Sequence, residues 1–262
     1  MVINDKSGAG CEVTELKQIV VEADGSMHEQ DDVIVCEHFV DIIVNERRAA
    51  SLVCTPSNLR YLVLGRLLTE GIIRGADDVE SVYICESGHT ARVYLKQEIT
   101  FKEAEPREAT CCTGNRMLLE RVYADYLFPL KKTDIRPDYV FNLAKEFSSG
   151  SRLHGRTKGT HSCYLGKDGK CIFSCEDIGR HNAMDKCIGY MLEKGIESEA
   201  CMLFTTGRVP TDMVRKAVAA RVGALVSKAV PTDAAVVMAS DYNLNLICKA
   251  WPDSFAVANV SK

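Results

Sequence analysis

A chain of 262 residues can bury a real core, and at the usual ~150 residues per domain it implies one large or two modest domains. Its net charge of -4 gives no bulk electrostatic case for nucleic acid, and no apolar run approaches the ~20 residues of a spanning helix. The opening MVINDKSGAGCEV lacks both the basic region and the apolar core of a secretory signal, so a cytoplasmic protein that stays off membranes is expected.

Residues 1 to about 30 read as poorly ordered at first. Within them ELKQIVVEA alternates as a strand does, and GSMHEQDD reads as a solvated loop. VIVCEHFVDIIVN and AASLVCT are rich in β-branched residues and flank Asn45-Glu46-Arg47-Arg48, which predicts a hairpin. Thr55-Pro56 reads as an N-cap followed by proline at the first helical position. The helix then runs through Leu59, Leu62, Val63, Arg66 and Leu67 to Glu70 and ends at Gly71. SVYICES and ARVYLKQ predict another hairpin around Gly88. A polar stretch carrying Cys111-Cys112 leads into a predicted helix, RMLLERVYADYL.

After the linker KKTDIRP, a helix begins near Asp138 and the pattern becomes α-β-β-α-β-α-β-α-β. HSCYL and KCIFS pair around Lys167-Asp168-Gly169, and a helix covers 181–194. CMLFTTG, ALVSKAV and NLICKA are strands, and TDMVRKAVAARV and TDAAVVMASDY are the helices between them. The fold class is therefore mixed α/β: a smaller α+β domain over 1–131, ending in the cysteine-bearing loop and a helix, and a three-layer α/β domain over 132–262.

Twelve cysteines contain no CxxC pair, so neither a structural zinc site nor a thioredoxin-type motif is supported, and no metal ligand is assigned. Cys36, Cys54, Cys187 and Cys201 read as small hydrophobes. Cys111 and Cys112 differ, because two thiols in a polar loop before a helix are neither core nor framework.

The chain is organised around EDIGRHNAMDK, Glu176 to Lys186. A polar junction here opens a helix whose unpaired N–H groups and dipole favour an anion. Gly179, Arg180, His181 and Asn182 are the candidate ligands, since core packing is expected to need none of these polar residues. Gly207-Arg208 repeats the dipeptide at the next junction, with Thr211 as N-cap. Glycine admits close approach and arginine offers a fork to phosphate. The bland alternatives are surface arginines at helix starts and a helix-capping or core-linking role for His181.

EDIGRHNAMDKCIG, VNERRAASLVCTP with LGRLLTEGII, and TTGRVPTDMVRKAVAARVGALVSKAVPTDAAVVMA together resemble the formate dehydrogenase accessory protein (FdhD) family of sulfurtransferases. The resemblance runs from about Asp32 to Phe255. It implies a cytidine-deaminase-like fold for the second domain. The deaminase zinc motifs are absent, because Asn182 and Ala183 follow His181 and the second junction has no cysteine. It implies that Cys111 receives sulfur from a cysteine desulfurase as a persulfide. The sulfur would pass to a transiently bound molybdenum or tungsten bis-molybdopterin guanine dinucleotide cofactor for formate dehydrogenase. The family's second loop cysteine is replaced by Gly114, which leaves Cys112 as the other thiol and as the alternative bearer of the persulfide. By position Ile247, Cys248, Lys249, Ala250, Trp251 and Pro252 fall on the family's cofactor-binding segment. Trp251 has two readings, stacking on a guanine or pterin ring and packing the domain edge. A homodimer is also implied. The alternative function is a cofactor-binding chaperone that transfers no sulfur, and a nucleotide hydrolase is disfavoured by the missing zinc motif.

Overall fold

Two six-stranded sheets, one from each half of the chain, face each other across buried helices. The computed structural model describes residues 1–8, 10–97, 115–118 and 126–259. Cys111, Cys112 and Gly114, and with them the expected persulfide site, lie outside the described residues, as does most of the helix expected from Arg116.

The first sheet runs β1-β6-β7-β4-β5-β8. Its strands are β1 (Val2–Asp5), β4 (His38–Val44), β5 (Arg47–Cys54), β6 (Val79–Ile84), β7 (Thr90–Leu95) and β8 (Arg116–Met117). The β4–β5 hairpin turns on Asn45 and Glu46, whose φ values of 45° and 62° match the twist of the flanking strands. Between these strands comes α1 (Leu59–Thr69). It starts from Asn58, at φ 59°, and not from Thr55, whose hydroxyl is used elsewhere. Gly71, at φ 69°, ends it as expected. Every residue of α1 except Arg60 is buried, which marks a helix covered on all sides.

Four sequence expectations change here. GSMHEQDD is strand rather than loop: β2 (Val13–Val21) and β3 (Met27–Val35) form a separate antiparallel ribbon. Val2–Asp5 pairs in parallel with β6, so the start of the chain is ordered. Arg116–Met117 pairs with β5 where a helix was expected to begin. Cys36 is only half-buried and lies between β3 and β4, whereas Cys54, Cys187 and Cys201 are core thiols.

The second half begins with α2 (Pro137–Ser148) and an unanticipated short α3 (Arg152–Thr157). Its sheet runs β10-β9-β11-β12-β13-β14. The strands are β9 (His161–Lys167), β10 (Lys170–Asp177), β11 (Cys201–Thr205), β12 (Ala224–Ser227), β13 (Asn245–Cys248) and β14 (Ala256–Val257). Phe147, Leu143 and Val140 of α2 pack on one face with Tyr164, Phe204, Val226 and Ile247. The other face carries α4 (Arg180–Glu193), α5 (Thr211–Ala219) and α6 (Asp233–Asp241). Pro210, not Thr211, stands at the N-cap of α5, while Thr232 caps α6 by accepting from Ala235 N at 3.3 Å. The mixed α/β class is as expected. Among the described residues no helix is long and apolar enough to cross a membrane.

The halves meet where α1 crosses α4. A Cβ on Gly65 would stand 1.9 Å from the Asp185 carbonyl oxygen, and one on Gly189 would stand 1.9 Å from that of Tyr61. Only glycine lets two helix backbones approach this closely. One apolar cluster therefore runs from the first sheet through α1 and α4 into the second.

Candidate functional site

β10, β11, β12 and β13 all run in one direction, so their carboxyl ends share an edge of the second sheet. α4, α5 and α6 each begin just beyond that edge, which is where α/β sheets hold ligands. The loops there are tied to one another. Ser227 Oγ donates to Gly207 O at 2.7 Å, Lys228 N to Thr205 O at 3.2 Å, and Ala250 N to Ser227 O at 3.0 Å.

Both Gly-Arg junctions come together on this edge. A Cβ at Gly207 would meet Arg180 Cδ at 2.8 Å, so the absent side chain makes room for the Arg180 stem. His181, 4% exposed, binds Asp212 Oδ2 through Nε2 at 2.7 Å and so joins the start of α4 to that of α5. Arg180 Nε and His181 Nδ1 are buried without a hydrogen-bond partner among the described residues. Gly179 at the N-cap offers no side chain to the first turn of α4. An orphaned guanidinium N–H at a helix N-terminus suits an oxyanion. Arg208 is exposed beside them.

Three further residues complete the edge and were not singled out from sequence. His161 opens β9 and its Nδ1 lies 3.2 Å from Thr206 Oγ1. Burial, followed by the Arg180 charge, holds His161 below the usual histidine range. Lys228 places its ammonium 4.8 Å from the Phe147 ring centre and 5.2 Å from that of Trp251, and burial lowers its pKa. The faint sequence signal was position alone: each stands just before or just after an apolar strand run.

Other predicted residues are placed differently. Ile247, Cys248 and Ala250 are core side chains, and burial pushes the Cys248 thiol up to about 11. Only Lys249 and Trp251 of that segment are exposed. Asn182 is fully buried, and its amide is spent on Val53 O at 2.7 Å, Asp177 Oδ1 at 2.9 Å and Asn115 Nδ2 at 2.7 Å.

That placement overturns, for Asn182, the expectation that core packing needs none of the polar residues of the junction. Asp177 and Lys186 form a fully buried pair at 2.7 Å, and both bind Thr55 of the first half. Burial opposes the Lys186 charge, but Asp177 outweighs it and holds the ammonium above its usual range. Asp185 bonds Thr69 and Lys216, at 2.9 Å in each case. Glu70 and Arg66 join the same cluster. These groups hold the two halves together.

Two open cavities of about 450 Å³ lie elsewhere, around Glu12, Ser57 and Asn58, and none of the predicted site residues lines them. Among the described residues no group of three His, Cys, Asp or Glu could hold a metal ion.

The sequence model of the FdhD/NarQ family matches residues 35–260. The chain belongs to this family. Two FdhD/NarQ relatives are the sulfur carrier proteins FdhD of Staphylococcus aureus strains MRSA252 and JH9. Each is 32% identical over 234 residues, covering 87% of this chain and 88% of the relative. The fold matches the crystal structure of a candidate formate dehydrogenase accessory protein from Desulfotalea psychrophila. The TM-score is 0.79 at 23% identity, over 96% of this chain and 99% of that one.

Proposed function

We propose that this FdhD/NarQ protein is a sulfur carrier for formate dehydrogenase. Cys111 takes sulfur from a cysteine desulfurase and passes it to a molybdenum or tungsten bis-guanine dinucleotide cofactor held as substrate at the Arg180 edge. In the first step the Cys111 thiolate attacks the outer sulfur of the donor's persulfide, a thiolate leaves, and no net oxidation occurs. Delivery as sulfide needs two electrons, supplied by an external thiol reductant. Arg180, Arg208, Lys228 and Lys249 give the edge its cationic character, and the α4 N-terminus supplies donors for the cofactor's phosphates.

One observation carries the reading. Asn115, four residues beyond Cys111, is buried and bonds both Val53 N and Asn182, the residue next to His181. Four residues span at most about 14 Å of extended chain, so chain length alone limits how far Cys111 can lie from Asn115. The naming of FdhD relatives as sulfur carriers agrees.

The test separates carrier from chaperone. After incubation with a desulfurase and cysteine, mass analysis is expected to show one sulfur gained on Cys111. Cys111→Ala is expected to bind cofactor normally yet leave formate dehydrogenase inactive. Sulfur on Cys112 alone would move the role by one residue. Full formate dehydrogenase activity with both cysteines replaced would leave a cofactor-binding chaperone.

A further inference from the structure

His161 has no part in the fold that a neutral polar residue could not fill, yet it stands close enough to Arg180 and His181 to feel their charge. Thr206 permits the tautomer protonated at Nε2. The Thr206 hydroxyl oxygen already accepts from Ser162 N at 3.3 Å, which leaves its O–H free to donate to His161 Nδ1 at 3.2 Å. The ring proton then sits on Nε2. That nitrogen has no partner among the described residues and is not among their buried unbonded atoms, so it is accessible to solvent.

The charges around the ring come from three elements. Arg180 and His181 on α4 and His154 on α3 oppose a second proton, and Asp177 at the end of β10 favours one. Asp177 is already committed to Lys186 at 2.7 Å, and the Asp212 carboxylate on α5 to His181. In the free protein the ring is therefore held neutral by its surroundings. A polyanion on Arg180 reverses that balance: it cancels the nearest positive charge and offers an acceptor to Nε2–H. The imidazolium that results stays satisfied at Nδ1, because the Thr206 oxygen can accept there once its O–H rotates away.

We propose that His161 is a ligand-contacting residue of this edge and that it takes up a proton when a phosphate-bearing polyanion binds. This rests on the polyanion reading of the same edge. The consequence is a carrier that binds its cargo more tightly as pH falls through neutrality and releases it as pH rises.

Diguanosine diphosphate is the probe, because its pyrophosphate is esterified at both ends and has no group titrating near neutrality. Calorimetry in buffers of different ionisation enthalpy reads the protons taken up per molecule bound. The native protein is expected to take up roughly half to one proton near neutral pH. His161→Gln keeps a hydrogen-bonding side chain; it is expected to bind about tenfold more weakly and to lose both the uptake and the pH dependence. His154→Gln, whose native ring is tied to Thr160 O at 2.6 Å, is expected to leave the uptake in place. Binding without uptake, or uptake that survives His161→Gln, overturns the inference alone. No binding to the native protein overturns the polyanion reading and the inference with it.

Discussion

Two sets of polar residues share the first turns of α4 and lead opposite lives. Asn182, Asp185 and Lys186 are fully buried, with their hydrogen bonds or ion pairs made inside the protein. Arg180 and His181, on the same turns, keep nitrogens at the sheet edge that have no partner among the described residues. The first set welds α4 to the first half of the chain, and the second faces the place where an anion fits. A helix with 3.6 residues per turn can do both, because neighbouring residues point about 100° apart. Polar density in a motif therefore does not by itself distinguish a binding residue from a buried strut.

The sharpest way to break this contrast is at the weld. Asp177→Ala leaves the Lys186 ammonium buried without its carboxylate, and a loss of about 3–5 kcal/mol in urea unfolding is expected. Unfolding within error of the native protein would show that the seam is hydrated and its charges carry little. The next effect is smaller and is a test of sign. Alanine in place of an exposed helical glycine stabilises by about 1 kcal/mol. At Gly189 the added Cβ meets the Tyr61 carbonyl, so Gly189→Ala is expected to cost about 1–3 kcal/mol. The smallest effect belongs to the edge. Arg208→Ala is expected to change stability by less than about 0.5 kcal/mol while weakening polyanion binding several-fold. A stability loss comparable to that of Asp177→Ala would place Arg208 among the struts.

Much of the second half was legible because its elements have a clear period. Apolar strand runs separated by helical segments gave β9 to β13 and α4 to α6 in order. The failures have physical causes. β3 carries polar residues on both faces because its ribbon lies largely in solvent, so no alternation marked it. β1 gains its order from β6, more than seventy residues away, and α3 and β14 are too short to show a period. Thr55-Pro56 imitated a helix start, but the Thr55 hydroxyl serves Asp177 and Lys186 instead. In the site, Arg180, His181 and Arg208 were visible because glycine and arginine recur before helices. His161, Thr206, Asp212 and Lys228 were not, since they meet only when separate strand ends are brought to one edge.

The crossing of α1 and α4 also bears on how the proposed polyanion would be received as a guest. Helices that touch through long side chains can slip past one another by changing rotamers. These two touch carbonyl to glycine, where there is no rotamer to change. The end of α4 that faces the guest is thus fixed to a bar reaching into the opposite sheet. Adjustment falls to the side chains of Arg180, Arg208 and Trp251, with backbone shifts on this helix held below about 1 Å. Selection among guests then depends on whether their charges fit a frame already set.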